Sequence, residues 1–217
     1  MPGQYFALFG VFQSVEKGAD MRDNPDERER DLVRRAAVDA DAFQALYHRY
    51  FRRVYAYVAS RTEDERDAED IVSDVFLRVV KNLNTFRSQQ EAGFAAWLFA
   101  IARNAITDYY RRNGRATPTV DLEAAEPLAE SEREPERIAA RVDAEAQLRG
   151  LLAGLPERKR EIVTLRYYSG LRNHEIAAVL GIGEKTVSAH LSRALAELQE
   201  QVAASLVQDE LGTDTDG

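Results

Sequence analysis

Between Asp41 and Arg61 the apolar side chains Phe43, Leu46, Tyr47, Tyr50, Val54 and Val58 recur at intervals of about three to four, the period of a helix with one buried face. The same pattern predicts a second helix from the acidic cluster Glu65–Asp70 to Leu83, and a third from about Gly93 to Arg112. Helical signals return from Ile138 to Leu152. Gly154-Leu155-Pro156-Glu157 then opens a further helix, since Pro suits a first turn whose N–H has no partner anyway. Glu161 to Tyr168 continues it, with Ile162, Val163, Leu165 and Tyr167 facing inward. No segment alternates with the period of a strand, and there is no internal repeat. The expected class is all-α.

The stretch from Leu171 to Ala194 predicts two short helices crossing at a tight turn. Ile176, Val179 and Leu180 make one apolar stripe, Ala177 is small where the second helix must pass, and Gly181 can take positive φ at the exit. Ile182 plugs the turn, and Val187 and Leu191 point back at the first helix. The opposite face of the second helix carries Lys185, Ser188, Ala189, Ser192 and Arg193, which are small, hydroxylic or basic. That is the layout of a DNA-reading helix-turn-helix. A plain αα-corner explains the apolar positions equally well, but not the character of the free face.

Composition changes the picture in three ways. The chain has 217 residues, enough for one large domain or two small ones with cores of their own. It has no Cys, and its His (His48, His174, His190) are scattered, so neither a disulfide nor a metal site is expected and no cofactor is implied. No apolar run approaches the ~20 residues of a membrane span, and Met1–Val15 makes a poor signal peptide, so a cytoplasmic protein is expected.

The net charge of −8 is unevenly spread. Residues 41–115 hold 12 Lys/Arg against 10 Asp/Glu, and residues 148–200 hold 8 against 6, whereas residues 116–147 hold 3 against 9. Two mildly basic modules therefore flank an acidic stretch. From Ala116 to Arg137 the chain has Pro118, Pro127 and Pro135, many Glu and Ala, and almost no large apolar residue, which reads as a self-repelling linker. So small a positive balance predicts weak duplex binding by the chain alone. A larger partner is expected to supply much of the affinity.

The third helix carries a second nucleic-acid signal. Phe94, Trp97, Leu98, Phe99, Ile101 and Ala102 lead into Arg103, Asn104, Asp108, Tyr109, Tyr110, Arg111 and Arg112. Rings that stack on bases, beside cations and an amide, suit single-stranded DNA. Trp97, Leu98 and Ile101 read better as core. For Arg103, Asn104, Arg111 and Arg112 a solvated face explains the residues as well as a binding face does.

The order of parts is more specific than any one of them. Asp67-Ala68-Glu69-Asp70-Ile71-Val72-Ser73-Asp74-Val75-Phe76-Leu77-Arg78-Val79, then Thr85-Phe86-Arg87, then Phe94 to Asn104, then Asp108-Tyr109-Tyr110-Arg111-Arg112, precede the linker; Leu155-Pro156-Glu157-Arg158 and the helix-turn-helix follow it. Over about residues 41–200 the chain resembles the extracytoplasmic function (ECF) group of bacterial sigma factors. The resemblance implies a promoter-specificity subunit of RNA polymerase, without enzymatic activity of its own. Its domains would be sigma region 2 at 41–115, an acidic linker at 116–137, region 4 at 138–203 and an acidic tail at 204–217.

By the same resemblance, Asp67, Glu69, Asp70, Asp74 and Arg78 would dock on the clamp helices of the largest polymerase subunit, and the second module would meet the flap of the second largest. Arg78, Asn82, Phe86, Asn104, Arg111 and Arg112 would serve the −10 element, with Asn104 lining a flipped-base pocket and Arg87 to Gly93 as specificity loop. Arg166, Lys185, Ser188, Ala189, Ser192 and Arg193 would serve the −35 element, Arg166 on backbone phosphate. The linker would run toward the RNA exit path, and an anti-sigma factor is an implied partner.

Three features depart from the family pattern. Ser188 and His190 stand where relatives usually carry a longer cation, which removes a bidentate guanine contact worth ~1–3 kcal/mol of discrimination. The Ser88–Gly93 loop is longer than in many relatives. Residues 1–40 precede the family's usual start and are expected to be partly disordered; Met1–Asp20 reads as an upstream translation start or an added segment, the former being favoured. A helix-turn-helix regulator of the response-regulator type would instead need an N-terminal receiver with alternating strands. A helical adaptor with no DNA role leaves the Trp97–Arg112 pattern unexplained.

Overall fold

The computed structural model describes residues 25–62, 64–86, 92–114, 150–152 and 154–212, with the backbone alone at 25–26 and 204–212. Every regular element among them is helical. Four helices come from the first part of the chain: α1 (Pro25–Ala36), α2 (Ala40–Ala59), α3 (Glu65–Asn82) and α4 (Gly93–Arg112). Three come from the second: α5 (Glu157–Tyr167), α6 (Asn173–Leu180) and α7 (Glu184–Gly212).

Local chemistry sets the boundaries. Asp39 caps α2 by accepting from the Asp41 and Ala42 amides at 2.9 and 3.3 Å. Asp64 caps α3 through the Arg66 amide at 2.7 Å. A 3₁₀ turn at Leu83–Thr85 ends α3, and Gly93 enters α4 at φ +76. Along α2, Leu46, Tyr50, Val54, Tyr57 and Val58 are buried, against Ile71, Val75 and Val79 of α3 and Leu98, Phe99, Ala102 and Ile106 of α4 in one core. Tyr50 meets Phe94 and Tyr57 meets Phe99 edge to face, at centroid separations of 5.3 and 5.5 Å.

Helix α1 falls within residues 1–40, the N-terminal extension that the sequence leads one to expect to be partly disordered. It packs on α2, burying Val33 and Ala36. Glu29 accepts from the Tyr50 hydroxyl and stands 3.7 Å from Arg49. Eight of the twelve residues of PDERERDLVRRA are charged, which leaves little apolar periodicity to mark the helix. Its narrow apolar edge gains meaning from its packing, chiefly against α2. Met1–Asp20, the linker, most of Ile138–Leu152, the Arg87–Glu91 loop and residues 213–217 lie outside the described residues.

In the second module Pro156 stands at the N-cap of α5, and Glu175 caps α6 by accepting from the Arg172 amide at 2.6 Å. Gly181 ends α6 at φ +64, and the Ile182 amide donates back to the Ala177 carbonyl at 3.1 Å. The chain then starts α7, where Val187, Leu191, Ala194 and Leu198 turn a buried face to α5 and α6. The two modules also touch, with α6 lying against α4.

Candidate nucleic-acid and protein interfaces

The free flank of α7 is assembled as its sequence predicts. Lys185, Ser188, Ala189, Ser192 and Arg193 are all exposed, while Val187 and Leu191 between them are buried. Asn173 Nδ2 donates to Ser188 Oγ at 3.0 Å, so the start of α6 fixes that hydroxyl. Arg166 is half-buried, and its Nη1 donates to the Leu171 carbonyl at 3.1 Å, where it braces the turn between α5 and α6. An arginine used this way can still offer its remaining N–H groups to a phosphate.

On α4, Trp97, Ile101, Asn104 and Asp108 share one flank by helical spacing, Trp97 and Asn104 about 10 Å apart along the axis. Asn104 is exposed, as are Arg111 and Arg112 beyond it. Phe86 joins this flank by packing on Trp97 and Phe94, with centroids at 5.0 and 5.6 Å. Arg78 joins it from α3, bonding Asp108 at 2.9 Å and Asp74 at 2.7 Å. Partial burial works against the Arg78 charge, but these carboxylates outweigh it and raise its pKa above the ordinary Arg value. Asn82 Nδ2 donates to the Arg78 carbonyl at 2.8 Å. Arg111 pairs with Asp108 at 2.9 Å, and Arg112 lies 3.7 Å from Asp74. The fold thus gathers Arg78, Phe86, Asn104, Arg111 and Arg112 along one side, with an acidic strip threaded between the cations.

The acidic residues of α3 divide. Glu69 and Asp70 are exposed, whereas Asp67 accepts from the Tyr109 hydroxyl at 2.7 Å and Asp74 is held by Arg78. The bond to Asp67 raises the Tyr109 pKa. Beside them runs a feature that sequence reasoning missed. Phe43, Tyr47, Phe51 and Tyr55, every fourth residue of α2, line an open groove of about 540 Å³ with Val72, Phe76, Leu77 and Val80 of α3. Leu77 and Val80 are 58% and 52% exposed. The signal was present, since α3 carries apolar residues on two faces, one more than burial in its own bundle requires.

A second missed feature lies between the modules. Glu161 of α5, 5% exposed, accepts from Arg103 Nε at 2.9 Å and stands 3.5 Å from Arg61 Nη1. Arg53 Nε donates to the Ser169 carbonyl at 2.7 Å, its guanidinium lying 4.9 Å from the Tyr50 ring centroid. Burial works against the Arg103 charge, and the hydrogen bond to Glu161 outweighs it, raising its pKa. The neighbouring Tyr57 hydroxyl is pushed up to about 12, chiefly by burial. Of the two readings left open for Arg103, neither describes this state: it is an inter-module contact.

Among the described residues no group of His, Asp and Glu could hold a metal ion, and no helix is long and apolar enough to cross a membrane.

Comparison with known proteins bears on both modules. The chain matches the family Sigma-70 region 2 over residues 46–116 and the family Sigma-70, region 4 over residues 145–198. It is 36% identical over 180 residues to the ECF RNA polymerase sigma factor BldN of Streptomyces coelicolor, covering 81% of this chain and 67% of that one. It is 34% identical over 183 residues to the RNA polymerase sigma factor CnrH of Cupriavidus metallidurans, covering 81% and 94%. The solved structure of CnrH in complex with the cytosolic domain of CnrY superposes with a TM-score of 0.58 at 28% identity, over 81% of this chain and 97% of that one. Sigma factor RpoE from Bartonella quintana, solved with the anti-sigma factor NepR, shares the fold with a TM-score of 0.55 at 23% identity, over 74% and 96%.

Proposed function

The chain belongs to the extracytoplasmic function group of sigma-70 factors, and from that premise we propose how its surfaces divide the work. It is a promoter-specificity subunit of RNA polymerase. The α7 flank of Lys185, Ser188, Ala189, Ser192 and Arg193 enters the major groove of the −35 duplex, with Arg166 on the adjoining backbone. The α4 flank holds the opened −10 strand: Asn104 reads an extruded base, Phe86 and Trp97 border its pocket, and Arg111 and Arg112 follow the phosphates. The observation that carries this reading is the gathering of Phe86, Asn104 and Arg78 on one side of the first module, from three separate stretches of chain.

The aromatic groove between α2 and α3, with Glu69 and Asp70 at its side, takes the clamp helices of the largest polymerase subunit. An amphipathic helix laid in an apolar groove is a recurrent mode of helix recognition, and Leu77 and Val80 supply the contact. Region 4 meets the flap of the second largest subunit. CnrH is solved with the cytosolic domain of CnrY and RpoE with the anti-sigma factor NepR, and by that likeness the chain takes a protein partner of the anti-sigma kind. It works by binding, in the cytoplasm where the polymerase is.

Two substitutions test the division. Arg193→Ala should weaken recruitment to −35 duplex, and Asn104→Ala should spare recruitment but slow strand opening. Permanganate footprinting of the −10 region, run beside a binding assay with core polymerase, separates the two steps. Failure of both variants at the same step would overturn it.

A further inference from the structure

Three arginines of the first module are spent on the second. Arg103 and Arg61 both face the buried carboxylate of Glu161, and Arg158 adds a contact to its other oxygen at 3.6 Å. Arg53 reaches across to the Ser169 carbonyl beside Gly170, which holds a φ of +62 at the turn. These contacts hold α5 and the α5–α6 turn against α2 and α4.

The contact is charged and incompletely satisfied. Among the described residues the Tyr57 hydroxyl, Arg61 Nε and Ser169 Oγ are buried without a hydrogen-bond partner. A buried ion pair roughly offsets its own desolvation, and each unmade hydrogen bond counts against the docked form. Such a contact can hold two modules and still release them.

Promoter engagement requires release. Two elements named −10 and −35 lie about 25 base pairs apart, about 85 Å at 3.4 Å per step. The whole of α4, 20 residues, is only about 30 Å long. The closed pair cannot read both sites at once. The chain from Gly114 to Gly150 can extend to roughly 120 Å, so its length permits the separation.

We propose that Glu161 is an intramolecular stand-in for a nucleic-acid phosphate: in the free chain it occupies Arg61 and Arg103 and keeps the modules closed, and promoter DNA takes those guanidiniums when the modules part. Carboxylate and phosphate present the same kind of oxygen acceptors to an arginine fork. Arg103 adjoins Asn104 and lies one and two turns from Thr107 and Arg111, so its release lengthens the basic flank where the opened strand passes. The inference rests on the promoter-binding reading above and adds to it a competition inside the chain.

The absence of Cys allows direct labelling. Gln44→Cys and Ala196→Cys, both at exposed positions on different modules, would carry a fluorescent donor and acceptor in the full chain. Energy transfer should be high in the free chain and fall on adding core polymerase with promoter DNA. Glu161→Gln should lower transfer in the free chain and tighten binding of a single-stranded −10 oligonucleotide roughly tenfold. The exchange Arg103→Glu with Glu161→Arg should restore transfer without restoring oligonucleotide affinity. If circular dichroism shows that Glu161→Gln does not fold, Arg103→Gln serves instead, opening the modules with no gain in affinity. Wild-type transfer in the opening variant, or opening by Glu161→Gln with no gain in oligonucleotide binding, would overturn the proposal. Transfer that stays high while the polymerase complex initiates normally would also sink it and leave the promoter-binding reading intact. Failure to initiate at all would instead fault that reading.

Discussion

The ring of Phe76 on α3 packs against Tyr47 on α2 with their centroids 4.6 Å apart, and this contact forms part of the lining of the apolar groove that Leu77 and Val80 leave open to solvent. The groove is therefore part of the folded bundle and not a gap awaiting closure. Its lining can be altered at the rim without disturbing the core beneath.

Leu77→Asp tests the groove as a polymerase contact. The side chain is more than half exposed, and surface substitutions usually stay within about 0.5 kcal/mol, so the thermal midpoint should hardly move. Binding to core polymerase, followed by fluorescence anisotropy of the labelled chain, should weaken by at least roughly tenfold. Unchanged affinity would assign the clamp contact to another surface.

Truncation separates the two parts of the N-terminal region. A chain starting at Met21 should keep its thermal midpoint and its transcription activity. A chain starting at Ala37 removes α1, uncovers the α2 surface that Val33 and Ala36 cover, and deprives Tyr50 of Glu29. It should lose several degrees, since burying one such aliphatic side chain is worth ~1.5–3 kcal/mol. Equal midpoints for the two truncations would show that α1 contributes nothing to the bundle.

Much of this was legible beforehand, and the reasons are local. Helices α2 to α4 announce themselves through a wide apolar stripe and through punctuation such as Gly93, and the α6–α7 turn through Gly181. Each of these signals lies within a few residues of the element it sets. Helix α1 lacks a wide stripe, and its two buried residues gain meaning only from tertiary packing, chiefly on α2. The Arg103–Glu161 bond joins residues 58 apart, and no local pattern records such a pairing. For the same reason nothing in the sequence tied Arg78, assigned by resemblance to the polymerase and −10 surfaces, to Asp108, which holds it in place from 30 residues later.

Gly181→Ala isolates a single backbone requirement. A Cβ built at this position meets nothing within 4 Å, so the cost is that of holding an L-residue at φ +64, about 1–2 kcal/mol. The second module should melt a few degrees lower, with −35 duplex binding reduced only as far as that module is unfolded. A stable variant that has lost binding would mean that the turn itself touches DNA.

The cap of α2 should respond to acid. The Ala42 amide foremost, and then Arg35, hold the Asp39 carboxyl below the usual carboxylate range. A depressed folded-state pKa means that the cap's contribution is fully present above the unfolded value, about 4, and is lost as pH falls through the folded one. The difference in thermal midpoint between wild type and Asp39→Ala should therefore be constant near neutrality and shrink at acid pH, while Asp39→Asn should stay close to wild type near neutrality. A difference that widens on acidification would contradict the assigned sign.

Run-off transcription with purified core polymerase and fragmented genomic DNA reads out whether the chain directs initiation at a promoter of its own. With this chain added, transcripts should start at a fixed distance downstream of one shared two-part motif. Arg193→Ala should relax its upstream half, and Asn104→Ala should reduce initiation at every site. Initiation no higher than with core enzyme alone, or starts that share no motif, would show that the chain is not a promoter-specificity subunit.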